Sequence, residues 1–370
     1  MIEFKLPSLG SDMDDGKLIA WHVRPGDAVK KGQVIAVVDT SKAAIDIECW
    51  HDGVVHELIT ELGQTIPVGT VMARLLAPGE AAPVGAAPTS RQRVSPAARQ
   101  RAAELGLDLA HVVGTGPQGA IGLEDVERAA APAPKPAASA VSAASTPADR
   151  AAEMRKSIAA AMGRSKREIP HYYLSETVPM GRALEWLRTA NAQRPVTTRL
   201  LPAVLLLKAV ALAVRDCPEM NGLFVDGAFT PAAAAHIGVA ISLRQGGLAA
   251  PALHDAGSKG LDELMRDLAD LVKRCRAGSL RSSEMSDPTI TVTNLGDQGV
   301  ESVFGVIYPP QVALVGFGRV TERPWAEAGR VTVMPALTAS LSADHRVSDG
   351  HRGALFLARL RDLLQRPEEL

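Results

Sequence analysis

The sequence predicts a multidomain chain: an N-terminal β-sandwich, a small helical domain, and a C-terminal α/β domain on a mixed sheet. Three observations predict it. Residues 1–77 contain an internal repeat of short β-rich runs. Two stretches, 78–93 and 130–150, are rich in Ala, Pro, Ser and Gly and hold almost no large apolar side chain. Residues 151–370 alternate helical periodicity with strand-like runs and are long enough for a large core.

The repeat comes first because it fixes the architecture of everything before residue 78. At a constant offset of 37, Gly16 matches Gly53, Gly26 matches Gly63 and Gly32 matches Gly69, while Val29 answers Ile66 and Val34 answers Val71. Short β runs with glycine at the same turn positions mean two copies of one strand-turn-strand unit. Two such sheets, each apolar on one face, would bury those faces against each other as a small sandwich. The segment joining the copies, residues 39–46, should form an exposed hairpin turn, and Lys42 sits on it.

The two Ala/Pro-rich stretches cannot bury enough surface to offset the entropy of ordering, so they read as extended linkers. Between them, residues 94–129 form an island. Pro96 suits a first helical turn and Gly106 a helix end, which predicts a helix through Arg99 to Leu105. A second short helix should begin near Leu123. Gly114, Gly116 and Gly119 formally satisfy G-x-G-x-x-G. The dinucleotide reading fails, because the linker at 130 leaves no room for the second strand of a βαβ unit and Pro117 interrupts the loop.

In the C-terminal stretch, Leu261, Leu264, Leu268, Leu271 and Cys275 recur on one helical face before Gly278. Strand-like runs cover His236–Leu243, Ile290–Thr293, Val312–Phe317 and Val331–Val333. Two places carry chemistry. Asp344, His345, Arg346, Val347, Ser348, Asp349 and Gly350 follow a strand-like run and precede an amphipathic helix, a junction that can aim an imidazole into a cleft. Thr293 ends another strand-like run before a glycine turn, where its hydroxyl can act as a donor.

Composition narrows the function classes. A formal net charge of −1 gives no long-range attraction to nucleic acid or anionic lipid. Three isolated cysteines form no disulfide framework, and nine histidines include no HExxH or Cys/His cluster, so no metal is expected. Leu200–Val214 is apolar but is broken by Pro202 and Lys208 and falls short of the roughly 20 residues of a bilayer span, so a buried helix is expected. The N-terminus shows no targeting pattern, and the chain reads as soluble and cytoplasmic.

Residues 1–77, with Lys42 at the junction of the copies, resemble the lipoyl domain of 2-oxo acid dehydrogenase acyltransferases. The resemblance implies (R)-lipoate attached covalently to Lys42. Ser41 and Ala43 flank the lysine in place of the two methionines of biotin domains, and Ser41 stands where the family usually has an acidic residue. Residues 94–129 resemble the family's peripheral subunit-binding domain. That implies docking of a thiamine-diphosphate-dependent decarboxylase or of dihydrolipoamide dehydrogenase, with Arg99 at the basic docking position and Ala120 replacing a usual arginine. Residues 151–370 are similar to the catalytic domain, which shares the chloramphenicol acetyltransferase fold. The markers are RKSIAAAM at 155–162, IPHYY at 169–173, TNLG at 293–296, PPQVAL at 309–314 and DHRVSDG at 344–350. The resemblance implies acyl transfer to coenzyme A, most simply of acetyl from pyruvate, with an acetoin complex (also acetyl) or a branched-chain complex (larger groups) as alternatives. In it His345 is the base, Thr293 supplies the oxyanion donor in place of the usual Ser, and Asp349 holds geometry. It also implies homotrimers with the site between neighbours. A Ser-His-Asp hydrolase lacks any G-x-S-x-G here; a non-catalytic lipoyl-bearing scaffold is the alternative, with the intact DHRVSDG against it and Thr293 in place of the usual Ser for it.

Overall fold

A computed structural model describes residues 1–8, 13, 15–40, 44–77, 95–105, 122, 125–126, 147–243, 247–327 and 329–370. The chain divides into two compact units, Met1–Glu80 with Pro147–Leu370, and Ala81–Thr146.

The N-terminal part of the first unit carries eight strands. They are β1 (Ile2–Lys5), β2 (Asp15–Trp21), β3 (Ala28–Val29), β4 (Val34–Asp39), β5 (Ala44–Glu48), β6 (Gly53–Leu58), β7 (Thr65–Pro67) and β8 (Val71–Leu76). The offset of 37 carries β4 onto β8 residue for residue. One sheet runs β1-β8-β6-β3, and the other contains β5-β4-β2-β7. The repeat therefore builds the sandwich differently from one copy per sheet, because each copy lends its short strand to the other's sheet. Such an exchange ties the halves by hydrogen bonds as well as by their shared core, which contains Leu18, Ile35, Ile45, Ile47, Met72 and Leu75. The matched glycines do matched work. Gly26 and Gly63 have φ of 97° and 83°, and Gly32 and Gly69 have 82° and 85°, the left-handed region that glycine enters without strain.

In the second unit, α1 (Pro96–Leu105) fills the predicted range, with the Ser95 hydroxyl accepting the Ala98 N–H at 3.2 Å. Arg99 is exposed on it. Asp125 and Val126 are helical, while Leu123, Ala120 and the three loop glycines lie outside the described residues.

The C-terminal part opens with α2 (Pro147–Glu168), which starts four residues before 151, inside the stretch read as linker. Proline is favoured in a first helical turn, where its missing N–H costs nothing. Then follow β9 (His171–Pro179), α3 (Gly181–Asn191), α4 (Pro202–Asp216), β10 (Gly222–Val225), β11 (Ala228–Pro231), β12 (Ile237–Val239) and β13 (Ile241–Ser242). Next come β14 (Leu248–Ala249), β15 (Ala252–Leu253), α5 (Leu261–Ala277), β16 (Leu280–Arg281), α6 (Ser282–Ser286) and β17 (Ile290–Asn294). The chain ends with β18 (Ala313–Phe317), β19 (Thr321–Glu327), β20 (Arg330–Asp344) and α7 (Gly350–Leu364). Seven strands form the main sheet, β15-β12-β17-β18-β20-β19 with β9 also on β20. It is mixed: β12, β17 and β18 are parallel neighbours, whereas β18, β20, β19 and β9 pair antiparallel.

The apolar stretch around 200–214 is α4, packed in the main core with ten buried residues. Its one buried charge, Lys208, is tolerated there because its ammonium donates to the carbonyls of Gly257 (2.9 Å) and Lys259 (2.6 Å). The five residues predicted to face inward from α5 are the five that are buried, and Gly278 closes the helix at φ 73°.

Candidate functional site

β20 ends at Asp344, and the turn that follows is built around that residue. Its carbonyl accepts the N–H groups of Val347 (3.0 Å) and Ser348 (3.1 Å). Its carboxylate, fully buried, accepts the Arg346 N–H at 2.9 Å and grips the guanidinium through Nε (3.0 Å) and Nη2 (2.7 Å). The guanidinium also lies 4.0 Å from the centre of the Phe224 ring, a cation–π contact. His345 is carried between these fixed groups. Its N–H donates to the Pro170 carbonyl (3.0 Å), and its ring meets Tyr172 edge-on at 5.2 Å. The imidazole is exposed, and among the described residues it has no hydrogen-bond partner, so both ring nitrogens are open to a substrate.

Asp349 caps α7, accepting the Arg352 N–H at 3.0 Å. That N–H, aided by the nearby His351 and His345, holds its carboxyl below the usual carboxylate range. The carboxylate thus stays ionised and fixes the far end of the turn that bears His345. Arg352 in turn donates to Glu219. Tyr172 is tied to Ser348 through their hydroxyls (2.8 Å), and burial pushes its phenol up.

A second histidine supports this end of the sheet. His171 pairs with Asp344 across β9 and β20. Its Nδ1 lies 2.9 Å from the Ile169 carbonyl, and its Nε2 accepts the Ile307 N–H at 3.0 Å. Those partners require a proton on Nδ1 and a lone pair on Nε2, the neutral tautomer. Burial, with Lys166 nearby, pushes its pKa below the ordinary histidine value.

Thr293 lies on the sheet face opposite the core helices, since its neighbour Val292 points into the main core. The register aligns it with Gly316 and, one strand further, with Ser340. Asp344 is four residues beyond Ser340, so the two sites lie about 13 Å apart along the strands and roughly 10 Å across them. One protomer does not bring Thr293 to His345. On the same face, Thr291 donates to the buried Gln311 side chain at 2.7 Å. Gln311, Phe224, Tyr308, Met162 and Arg346 line a cavity of about 610 Å³ that opens beside the turn.

Lys42 lies outside the described residues, as do Ser41 and Ala43. The strands on either side are described, and their last pair, Asp39 with Ala44, bounds the hairpin connection that carries it.

Sequence reasoning missed Phe224, Gln311 and the structural role of His171. The IPHYY run was a signal for His171 and the PPQVAL run for Gln311, but nothing local marks Phe224.

The catalytic part matches the family model described as 2-oxoacid dehydrogenases acyltransferase (catalytic domain), over residues 145–370. The chain belongs to that family. Residues 2–75 match the model described as biotin-requiring enzyme, and 93–127 the e3 binding domain. The chain is 33% identical to the lipoamide acyltransferase component of the branched-chain alpha-keto acid dehydrogenase complex of Pseudomonas aeruginosa, covering 99% of this chain and 98% of that protein. It is 29% identical, with the same coverages, to the dihydrolipoyllysine-residue acetyltransferase component of the pyruvate dehydrogenase complex of Zymomonas mobilis. Among solved structures it is similar to the dihydrolipoamide acetyltransferase of Azotobacter vinelandii, studied for the role of a serine, a histidine and an asparagine in its mechanism (28% identity, TM-score 0.54, 57% of this chain and 88% of that one). The chain is accordingly an acyltransferase component of the 2-oxo acid dehydrogenase type, with a domain of the lipoyl-bearing class and an E3-binding domain.

Proposed function

We propose that this acyltransferase passes an acyl group, acetyl in the first reading, from a lipoyl arm on Lys42 to coenzyme A, with His345 as the base. The observation that carries it is the turn after β20, which holds an open imidazole between the Asp344–Arg346 clamp and the Asp349 cap. When attached, lipoate supplies the dithiol that bears the acyl group. His345 removes the proton of the coenzyme A thiol, a task for which an imidazole is the usual side chain near neutral pH. The Thr293 hydroxyl donates to the oxygen on which charge develops, an effect of roughly 3–4 kcal/mol. Because one protomer keeps Thr293 and His345 apart, the complete site takes His345 from one copy and Thr293 from its neighbour, in keeping with the homotrimer within a larger core that the family resemblance implies. Asp349 keeps the turn in place.

The domain assignment is a lipoyl domain over 1–77, a subunit-binding domain over 94–129 joined by linkers 78–93 and 130–146, and the acyltransferase from the start of α2 at Pro147 to residue 370. Arg99 on α1 contacts dihydrolipoamide dehydrogenase or the thiamine-diphosphate-dependent decarboxylase, in a cytoplasmic complex. The test is transfer from acetyl-dihydrolipoamide to coenzyme A by the wild type and by His345→Ala. Equal rates remove the proposal.

A second reading takes a branched acyl group, favoured by the higher identity to the Pseudomonas branched-chain component. Comparing kcat/KM for acetyl- and isobutyryl-dihydrolipoamide decides between them.

A further inference from the structure

The N-terminal sandwich is seated on the catalytic part through β5. The outer edge of β5 pairs in parallel with β16, Ile45 with Leu280 and Asp46 with Arg281, which extends that sheet to five strands. Glu48, the last residue of β5, is buried. A buried carboxylate is costly unless hydrogen-bonded, and the Glu48 carboxylate finds its partner on α6. Its carboxylate accepts the Ser283 hydroxyl (2.5 Å) and N–H (3.3 Å), and its own N–H donates to the Ser282 hydroxyl (3.2 Å). Met285 of α6 packs against both cores. The platform is held from its own side as well: Glu284 accepts both Arg274 Nη groups at 2.5 Å and the Arg281 N–H at 2.9 Å. Ile45, the second residue of β5 after the Lys42 hairpin, lines the same cavity as Phe224 and Arg346.

We propose that α6 and the β16 edge form a docking platform for the chain's own lipoyl-type domain, recognised through Glu48, which seats β5, the strand that follows Lys42 in sequence, against the cavity that Arg346 lines. The inference rests on the reading that Lys42 bears the acyl carrier. Ser282 and Ser283 are then positioning residues that act by orienting a domain and do not touch the reacting atoms. Edge pairing fixes the direction of β5, and the Glu48 contacts fix its register.

The test uses the unlipoylated full-length chain. Hydrogen exchange is measured in peptides covering 44–48 and 280–286. Glu48→Lys and Ser283→Glu should each accelerate exchange in both peptides by about tenfold, while residues 71–76 keep their protection. The charge swap Glu48→Lys with Ser283→Glu should restore protection. Ser283→Glu leaves the sandwich sequence intact and carries the test alone if Glu48→Lys unfolds it. In parallel, acetyl transfer from acetyl-coenzyme A to free dihydrolipoamide is followed. In this thioester exchange the C–S bond to coenzyme A breaks, that to the acceptor thiol forms, and the acceptor's proton passes to coenzyme A. Both variants should retain the wild-type rate on this small acceptor. In the lipoylated chain, transfer to the tethered arm should fall about tenfold, as effective concentration is lost. Unchanged exchange in Ser283→Glu overturns the docking platform and leaves the acyltransferase standing. Absence of transfer to free dihydrolipoamide by the wild type overturns the functional reading instead.

Discussion

Replacing Asp344 by Asn removes one negative charge from the end of β20 and keeps the side-chain shape. In the wild type the carboxylate accepts three groups of Arg346, its N–H, Nε and Nη2, at 2.7–3.0 Å. An amide has one acceptor oxygen and turns two donors toward a guanidinium that has only donors. The fork is lost, and Arg346 stays positive over Phe224. Removing one partner of a buried ion pair costs about 3–5 kcal/mol. Asp344 is 0% exposed, but the Arg346 side chain keeps 32% of its exposure, so water compensates part of the loss. The lower end, about 3 kcal/mol, is therefore expected. For a domain of about 150–250 residues each kcal/mol moves Tm by roughly 2–4 °C, so the catalytic transition should fall by about 6–12 °C. Calorimetry of the full-length chain reads this directly. Acyl transfer, assayed well below both transitions, should also drop, because the Asp344 clamp sets the turn that carries His345. A Tm change under about 2 °C, or roughly 0.5–1 kcal/mol, would refute the reasoning, since a carboxylate removable at that cost is not holding the turn.

Three further outcomes are expected. Thr293→Val should lower kcat by about 10²–10³ while Thr293→Ser stays within a few-fold; steady-state kinetics decide, and a fully active valine variant would remove Thr293 from the oxyanion role. His171 is held neutral with a folded-state pKa below its unfolded value, so between those two values the unfolded chain binds a proton that the folded chain does not. Stability should therefore fall as pH drops from about 6.5 toward the folded pKa and level off below it. The half-buried His236 contributes in the same direction. In His171→Gln the slope of Tm between pH 7.5 and 5 should flatten, and an unchanged slope would contradict the assignment. Arg99→Ala should weaken dihydrolipoamide dehydrogenase binding by about 1–2 kcal/mol, near tenfold in Kd. Calorimetric titration at low and high salt would show the difference shrinking with salt.

What the sequence reveals follows the range of the interaction. The α5 face is legible because five apolar residues at helical spacing name their own burial. The sandwich is legible because three glycine pairs repeat at one offset. The exchange of short strands between the sheets is not, since both pairings satisfy the same alternation. The run at Val331–Val333 and the run before Asp344 look like separate strands. They are one strand, β20, whose outer half is exposed and lacks alternation and whose middle holds Pro335. The Pro335 carbonyl accepts the Met180 N–H at 2.7 Å, a tertiary reason for a proline within a strand. For the site, His345 and Asp349 are legible as a strand-to-helix junction. That Thr293 stands far from His345 in its own chain depends on the register across β17, β18 and β20, which no local pattern records. Glu48 is invisible for the same reason, as its partners lie more than 230 residues away.

The asymmetry within the repeat explains how one domain can be both tethered and docked. The offset of 37 that maps β4 onto β8 maps Lys42 onto Gly79, three residues past the end of β8 in the sequence. The place that β5 occupies beside β4 is taken beside β8 by β1, the start of the chain. The duplicated unit thus has two equivalent corners, and only one is a closed hairpin with a lysine. That corner closes the sheet whose free edge pairs with β16, while the tether leaves from the other sheet. Pairing along β5 therefore occupies neither the edge at which the linker departs nor the hairpin end itself. A swinging domain must expose its carrier lysine, remain on its tether and present a recognisable edge to the acyltransferase. Here a broken two-fold repeat assigns each task to a different part of one small sandwich.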